Sequence, residues 1–190
     1  MENLNKLIDQ LNLNKNITLE DIPNIDLYMD QVIQLFENKY ASSLRNSDDK
    51  VLTKTMINNY AKGKLFVPIK NKKYSKEHLI LISLIYQLKG ALSINDIKAT
   101  LDGVNKHILS EEVELDQFYE SYLHLNEKNV EEFKENVPLH ASNVIEEIKS
   151  LKEVDHEYFE KVLLITSFVH MSNLYRRLAE KLVDEIINED

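Results

Sequence analysis

Residues 50–89 read KVLTKTMINNYAKGKLFVPIKNKKYSKEHLILISLIYQLK, and the fold turns on this stretch. It holds nine lysines against one acid, Glu77, a net +8 inside a chain of 190 residues whose formal charge is −9. Three patterns follow one another in it. From Val51, the residues Leu52, Met56, Ile57, Tyr60 and Ala61 recur at helical spacing and form a narrow apolar stripe. Lys54, Asn58 and Lys62 stand four apart on the opposite side, with Thr55 and Asn59 beside them. Thr53 or Asp49 can cap this helix, and Gly63 can end it through a left-handed conformation. Residues 65–74, LFVPIKNKKY, then predict a short β-hairpin or extended wing. Pro68 stops any helix there, and Lys70, Lys72 and Lys73 precede Tyr74. Ser75 caps the third pattern, with Glu77 and His78 in its first turn. Its Leu79, Ile80, Leu81, Ile82, Leu84, Ile85, Tyr86 and Leu88 are apolar almost all round, which marks a buried hub.

The outward set on the first of these helices suits a DNA major groove. Lysines pair with phosphates, and Asn bonds bidentately to adenine. Asn is also a poor residue for a helix interior, so Asn58 and Asn59 side by side call for a reason. The plain alternative is a solvated polar face, and a lysine-rich segment taken alone supports that reading equally well. Charge segregation favours contact. Residues 1–49 are net −5 and residues 91–190 net −12, so a nucleic-acid surface on this acidic chain has to be local.

Working outward, Leu4, Leu7, Ile8 and Leu11 predict a short amphipathic helix at the N-terminus. A turn holding Pro23 follows, and Asn24 or Asp26 can cap a helix with Leu27, Val32, Leu35, Phe36 and Tyr40 on one face. The run ASSLRNSDD, residues 41–49, is polar and loop-like. On the other side, Ser93 caps a short helix, INDIKATL, with Asp96 in its first turn, and Gly103 marks a turn or helix end. Ser110 starts a helix with acids at its beginning and an apolar side of Val113, Phe118, Tyr122, Leu125 and Phe133. Pro138 sits where a new helix can begin. Asp155 caps the last long helix, whose middle from Val162 to Met171 is apolar on nearly every side. That helix has to be buried, within the chain or across a dimer interface.

The composition sets outer limits. With 43% hydrophobic and 29% charged residues, only three Gly and three Pro, the chain reads as helix-rich and globular. There is no cysteine, which removes disulfides and thiolate metal sites and suits a reducing cytosol. No signal-peptide pattern and no apolar run of membrane-spanning length stands out, so the expectation is a cytoplasmic protein without membrane contact. His78, His107, His124, His140, His156 and His170 show no tight ligand spacing, and each is better read as a surface or satisfied core histidine. His170 has a second reading, as part of an effector pocket near Tyr175 and Arg176. Tyr119, Tyr122, Tyr158 and Tyr175 are better read as helix packing than as a stacking platform. Paired glutamates such as Glu131–Glu132 are surface charges by spacing. No catalytic residue, metal or cofactor is assigned, and the protein is not expected to be an enzyme.

The order LTKTMINNYAKGKLFVP, then KKYSKEHLILISLIYQLK, then LSINDIKATL resembles the MerR family of bacterial transcription regulators. Tyr60, Leu65, Phe66, Pro68, Tyr74, Leu79, Ile82, Ile85, Ser93, Ile94 and Ile97 take that family's recognition-helix, turn, wing and following-helix positions. The family's recognition-helix and wing arginines are replaced here by Lys and Asn, and its tight helix–helix turn by the long 41–49 loop. The full chain also resembles an uncharacterised bacterial family known as a domain of unknown function, carried by ITLEDIPNIDLYMDQVIQLF and LTKTMINNYAKGKL. The resulting expectation is an all-α, mainly helical fold with a short β wing. A winged helix-turn-helix domain over 1–101 packs on an acidic helical dimerisation or effector domain over 102–190. Lys54, Thr55, Asn58, Asn59 and Lys62 would read double-stranded DNA, and Lys70, Lys72 and Lys73 would hold its phosphates. The likeness implies a homodimer with an effector or protein partner left open. The alternative is a helical protein-interaction module of the same shape that leaves DNA alone.

Overall fold

The apolar run that follows Ser75 becomes helix α4, Lys76–Leu88, and every residue from His78 to Ile85 in it is buried. A helix buried on all sides needs neighbours on all sides, and the rest of the N-terminal two thirds supplies them. The structure is a computed structural model and describes residues 2–46, 48–110, 114–150 and 155–189. Its described elements are seven α-helices, a short 3-10 helix (Ala41–Ser43) and a two-stranded antiparallel sheet. They run α1 (Glu2–Gln10), β1 (Leu27–Tyr28), α2 (Met29–Tyr40), α3 (Lys54–Lys62), β2 (Lys73–Tyr74), α4, α5 (Ile94–Ser110), α6 (Leu115–Ile148) and α7 (His156–Glu189).

Around α4 lies one continuous core. α2 contributes Val32, Phe36 and Tyr40, α3 contributes Ile57 and Tyr60, and α5 contributes Ile97 and Leu101. β1 and β2 pair with Leu27 opposite Tyr74 and Tyr28 opposite Lys73. The sheet thus joins the entrance of α2 to the entrance of α4. The α2 start differs from expectation. Neither Asn24 nor Asp26 caps it, because β1 occupies the approach. Gln31 instead accepts the Tyr28 N–H at 2.8 Å.

The segment ahead of β1 is fastened by polar contacts. Ile17 is fully buried, its N–H donating to the Tyr40 hydroxyl at 3.2 Å and its carbonyl accepting from the Tyr119 hydroxyl at 2.7 Å. Burial pushes the Tyr119 phenol up to about 12 and Tyr40 higher still, so both stay protonated and able to donate at any ordinary pH. Tyr40 stacks on Tyr86 at 4.7 Å, and Tyr119 on Tyr122 at 5.5 Å. The expectation that Tyr119 packs in the core holds; Tyr158 and Tyr175 are instead exposed.

The C-terminal third departs most from the expectations. α5 does not end near Gly103 but runs on to Ser110, so the 101/102 boundary falls inside a continuous helix. A Cβ at Gly103 would meet nothing within 4 Å, which makes this glycine a tolerated helix residue with no turn to form. Its start matches expectation, with Ser93 and Asp96 exchanging side-chain to backbone hydrogen bonds at 3.2 Å. Pro138 begins no new helix; α6 runs through it for 34 residues. The expected acidic start of that helix, residues 111–113, with Val113 of its apolar side, lies outside the described residues. Of the remaining apolar side, Phe118, Leu125 and Phe133 are exposed and Tyr122 packs against the core partly buried, while Leu115 and Tyr119 enter it. α7 starts as expected, with Asp155 accepting the Tyr158 N–H at 3.1 Å. Within the chain it is largely exposed, with Val183 its one buried residue, so of the two expected places of burial the chain's own core is not the one used.

Candidate functional site

α3 is set by the stripe that was legible in sequence. Ile57 and Tyr60 are at most 4% exposed, Met56 is half-buried, and Lys54, Thr55, Asn58, Asn59 and Lys62 are all exposed on the other side. Thr53 caps the helix by accepting the Met56 N–H at 3.1 Å. The far end is corrected. Gly63 is right-handed, φ −72°, and Lys64 takes the left-handed position, φ 56°. Leu65 N–H donates to the Tyr60 carbonyl at 3.0 Å and Lys64 N–H to the Ala61 carbonyl at 3.1 Å, a paired closure with its left-handed residue one step past Gly63. Gly63 serves space instead, because a Cβ there would stand 2.6 Å from Cδ1 of buried Leu65.

The basic connector is a tight turn rather than a two-stranded hairpin of its own. Lys73 N–H donates to the Lys70 carbonyl at 2.9 Å, and Asn71 and Lys72 both have positive φ, 52° and 60°. Positive φ at both central residues is the primed turn whose twist suits β-strands. Lys70 and Lys72 are exposed at its tip. Lys73 is half-buried on β2, with its ammonium 5.3 Å from the centre of the Tyr28 ring. The strand pairs with β1, a partner that sequence reasoning missed because a two-residue strand carries no periodicity.

Acidic neighbours also enter the site. Lys54 pairs with Asp30 of α2 at 2.7 Å, both side chains well exposed. Lys76 pairs with Asp116 at the start of α6. Behind the 70–73 turn lies a cleft of about 820 Å³, where Lys70 and Lys73 face Asp26, Glu77, Glu114 and Asp116. Lys89, another of the basic stretch, is half-buried. It donates to the Val51 carbonyl at 3.2 Å and lies 4.3 Å from the Tyr86 ring centre, and burial lowers its ammonium pKa.

His78 forms the rear wall of that cleft and is only 5% exposed. Its Nδ1 accepts the Ser75 N–H at 3.1 Å, closing the cap of α4, while Nε2 stands 3.0 Å from the Val67 carbonyl. A donor on one side and an acceptor on the other define a neutral ring carrying its proton on Nε2. Burial, outweighing the Val67 carbonyl and the charge of Glu77, pushes the imidazole below its usual range. His78 is therefore a satisfied core histidine that anchors the turn to α4. His170, by contrast, is exposed, beside a shallow groove of about 410 Å³ that His140 also lines. Among the described residues, His, Asp and Glu side chains do not gather in threes that would hold a metal ion. No helix in the described residues is long and apolar enough to cross a membrane.

These features define a mainly helical protein with a small antiparallel sheet and a basic, asparagine-bearing helix on its surface. The chain belongs to the family described as Domain of unknown function (DUF1836), whose model matches residues 17–122. No curated protein matches the chain, and no solved structure does.

Proposed function

We propose that the protein is a double-stranded-DNA-binding transcription regulator, a winged helix-turn-helix of MerR-like order in which α3 enters the major groove. The observation that carries this reading is the exposed face of α3, Lys54, Thr55, Asn58, Asn59 and Lys62, followed in the chain by the lysine-tipped turn of residues 70–73. Asn58 and Asn59 would read base edges; Lys54 and Lys62 would hold phosphates. Lys70 and Lys72 at the turn tip would clamp the backbone beyond the groove edge, with Lys73 contributing less because Tyr28 already holds it. The order β1, α2, α3, turn, β2, α4 supports the same reading, since the wing strand pairs with the strand ahead of the first helix. The acidic C-terminal half would then dimerise the reader or receive its signal.

The test is retention of random duplex DNA by purified protein across a salt series, with sequencing of the retained pool. A recovered half-site or palindrome with affinity falling steeply in salt is the expected result. Lys54→Ala with Lys62→Ala should then weaken binding to every sequence and reduce the salt slope by about two units, roughly one per lost phosphate contact. An unchanged slope removes their assigned role. A second reading, a protein-interaction module of the same shape, draws on the carboxylates at the site. Asp30 on Lys54, with Glu114 and Asp116 beside Lys70 and Lys73, lowers the positive potential that a duplex needs. Sequence-blind or absent retention would favour it.

A further inference from the structure

Lys76 is the first residue of α4, where a cation opposes the helix dipole. It is answered from a distant part of the chain. Asp116, 40 residues on and in the first turn of α6, pairs with its ammonium. The side chains of this pair are 34% and 54% exposed, against 64% and 75% for Lys54 and Asp30, so solvent screens it less. Asp116 also lines the cleft behind the 70–73 turn, and Glu114 stands with it opposite Lys70 and Lys73. The other two carboxylates of that cleft have a local origin. Asp26 leads into β1 and Glu77 lies on α4, so both belong to the sheet and helix that carry the turn. Glu114 and Asp116 are brought there by α6 and fixed by it, since Leu115 between them and Tyr119 one turn on are buried in the core.

We infer that the first turn of α6 is a built-in phosphate mimic, an autoinhibitory contact that holds down the chain's affinity for a duplex. Asp116 on Lys76, with Glu114 beside Lys70 and Lys73, occupies the positions that backbone phosphates would take next to the turn. The inference rests on the DNA-binding reading and supplies its regulation. A lysine neutralised by a carboxylate of its own chain recruits no counterion, so it has none to release when a phosphate arrives. Binding at Lys76 has to break the ion pair first. The contact also ties the basic surface to the acidic half of the chain. α6 runs unbroken from Leu115 to Ile148 and packs on α7, so its two carboxylates stand at one end of the rod that carries the C-terminal pair. Anything that shifts this rod on the core changes how many lysines face the duplex.

The test is a double-mutant cycle on the full chain, with Asp116→Asn and Lys76→Ala made singly and together. Each protein is titrated across a salt series with random-sequence duplex and, separately, with heparin, a polyanion without bases. Asp116→Asn should bind both more tightly than wild type and steepen the salt slope by about one unit, so that its gain is roughly three- to fourfold larger at about 50 mM salt than at about 200 mM. Lys76→Ala should leave the slope as it is in the wild-type background and remove the added unit in Asp116→Asn. Asp116→Glu, which keeps the charge, should behave as wild type. A carboxylate that only steadies α6 would move the melting temperature and not the slope. Equal slopes for Asp116→Asn and wild type on both polyanions, or a steepening that survives Lys76→Ala, would overturn the inference. Failure of the DNA-binding reading looks different: the duplex is retained without sequence preference by every variant, while the gain on heparin persists.

Discussion

Lys72 holds a backbone conformation that glycine would adopt without strain, and Lys64 does the same eight residues earlier. Both lie in the basic stretch, and the structure has no glycine at positive φ. A residue that breaks its local preference points to selection for something besides stability. Lys72→Gly should therefore raise stability by about 0.5–1 kcal/mol in denaturant titration while lowering duplex affinity and cutting the salt slope by about one unit. A gain in stability with no loss of binding would assign Lys72 no role in the contact. His78 supplies a pH dependence of defined sign. Its folded pKa lies below the unfolded value of about 6.5, so its contribution is complete above that value and is lost as pH falls through and below it. The melting temperature should drop between pH 7 and pH 5, and the drop should be smaller in His78→Gln. The pattern Ser75 to His78 follows the spacing of a capping box, so this cap was visible in the residues. The acceptor at Val67 was not, because it comes from packing.

Among the elements, α3 and α4 were legible because burial imposes their periodicity directly. One has a single apolar stripe and the other is apolar all round. Leu81, fully buried near the middle of α4, should lose about 2–5 kcal/mol on replacement by Ala, read from the shift of the denaturation midpoint. The helix ends at Gly103 and Pro138 were misread. Gly103 is a weak stop signal that the helix tolerates, whereas Pro138 is a strong one that it absorbs, proceeding with Val137 and Ala141 buried on either side of it. Pro138 still removes one helical N–H. Pro138→Ala should consequently raise the melting temperature, by an increment worth up to about 3 kcal/mol, unless α6 bends there to reach α7. β1 was invisible, since Leu27 and Tyr28 belong to a pair whose other member is 46 residues away. For the candidate site, the outward face of α3 was read correctly, whereas the counter-charges Asp30 and Asp116 reach it from other elements and leave no mark in local sequence.

At the scale of the whole molecule, the buried core cluster runs from Ile17 to Tyr119, close to the limits of the family match at 17–122. What lies beyond, the rest of α6 and all of α7, adds a long helical pair with little buried surface of its own. The two-domain expectation drew its line at residue 101, where the family resemblance ended, whereas the core cluster continues to Tyr119, inside α6. The feature that marks this limit is the pair of phenols on Ile17. Tyr119→Phe leaves the Ile17 carbonyl buried without a donor and should cost about 1–3 kcal/mol. The clamp also has a kinetic side. It ties residues 102 apart along the chain, so it closes a very long loop and should form among the last contacts in folding. The Ile17 amide, donating to Tyr40 within that closure, can then meet solvent deuterium only when the loop opens. Its exchange rate should serve as a single-proton gauge of how often the whole unit comes apart.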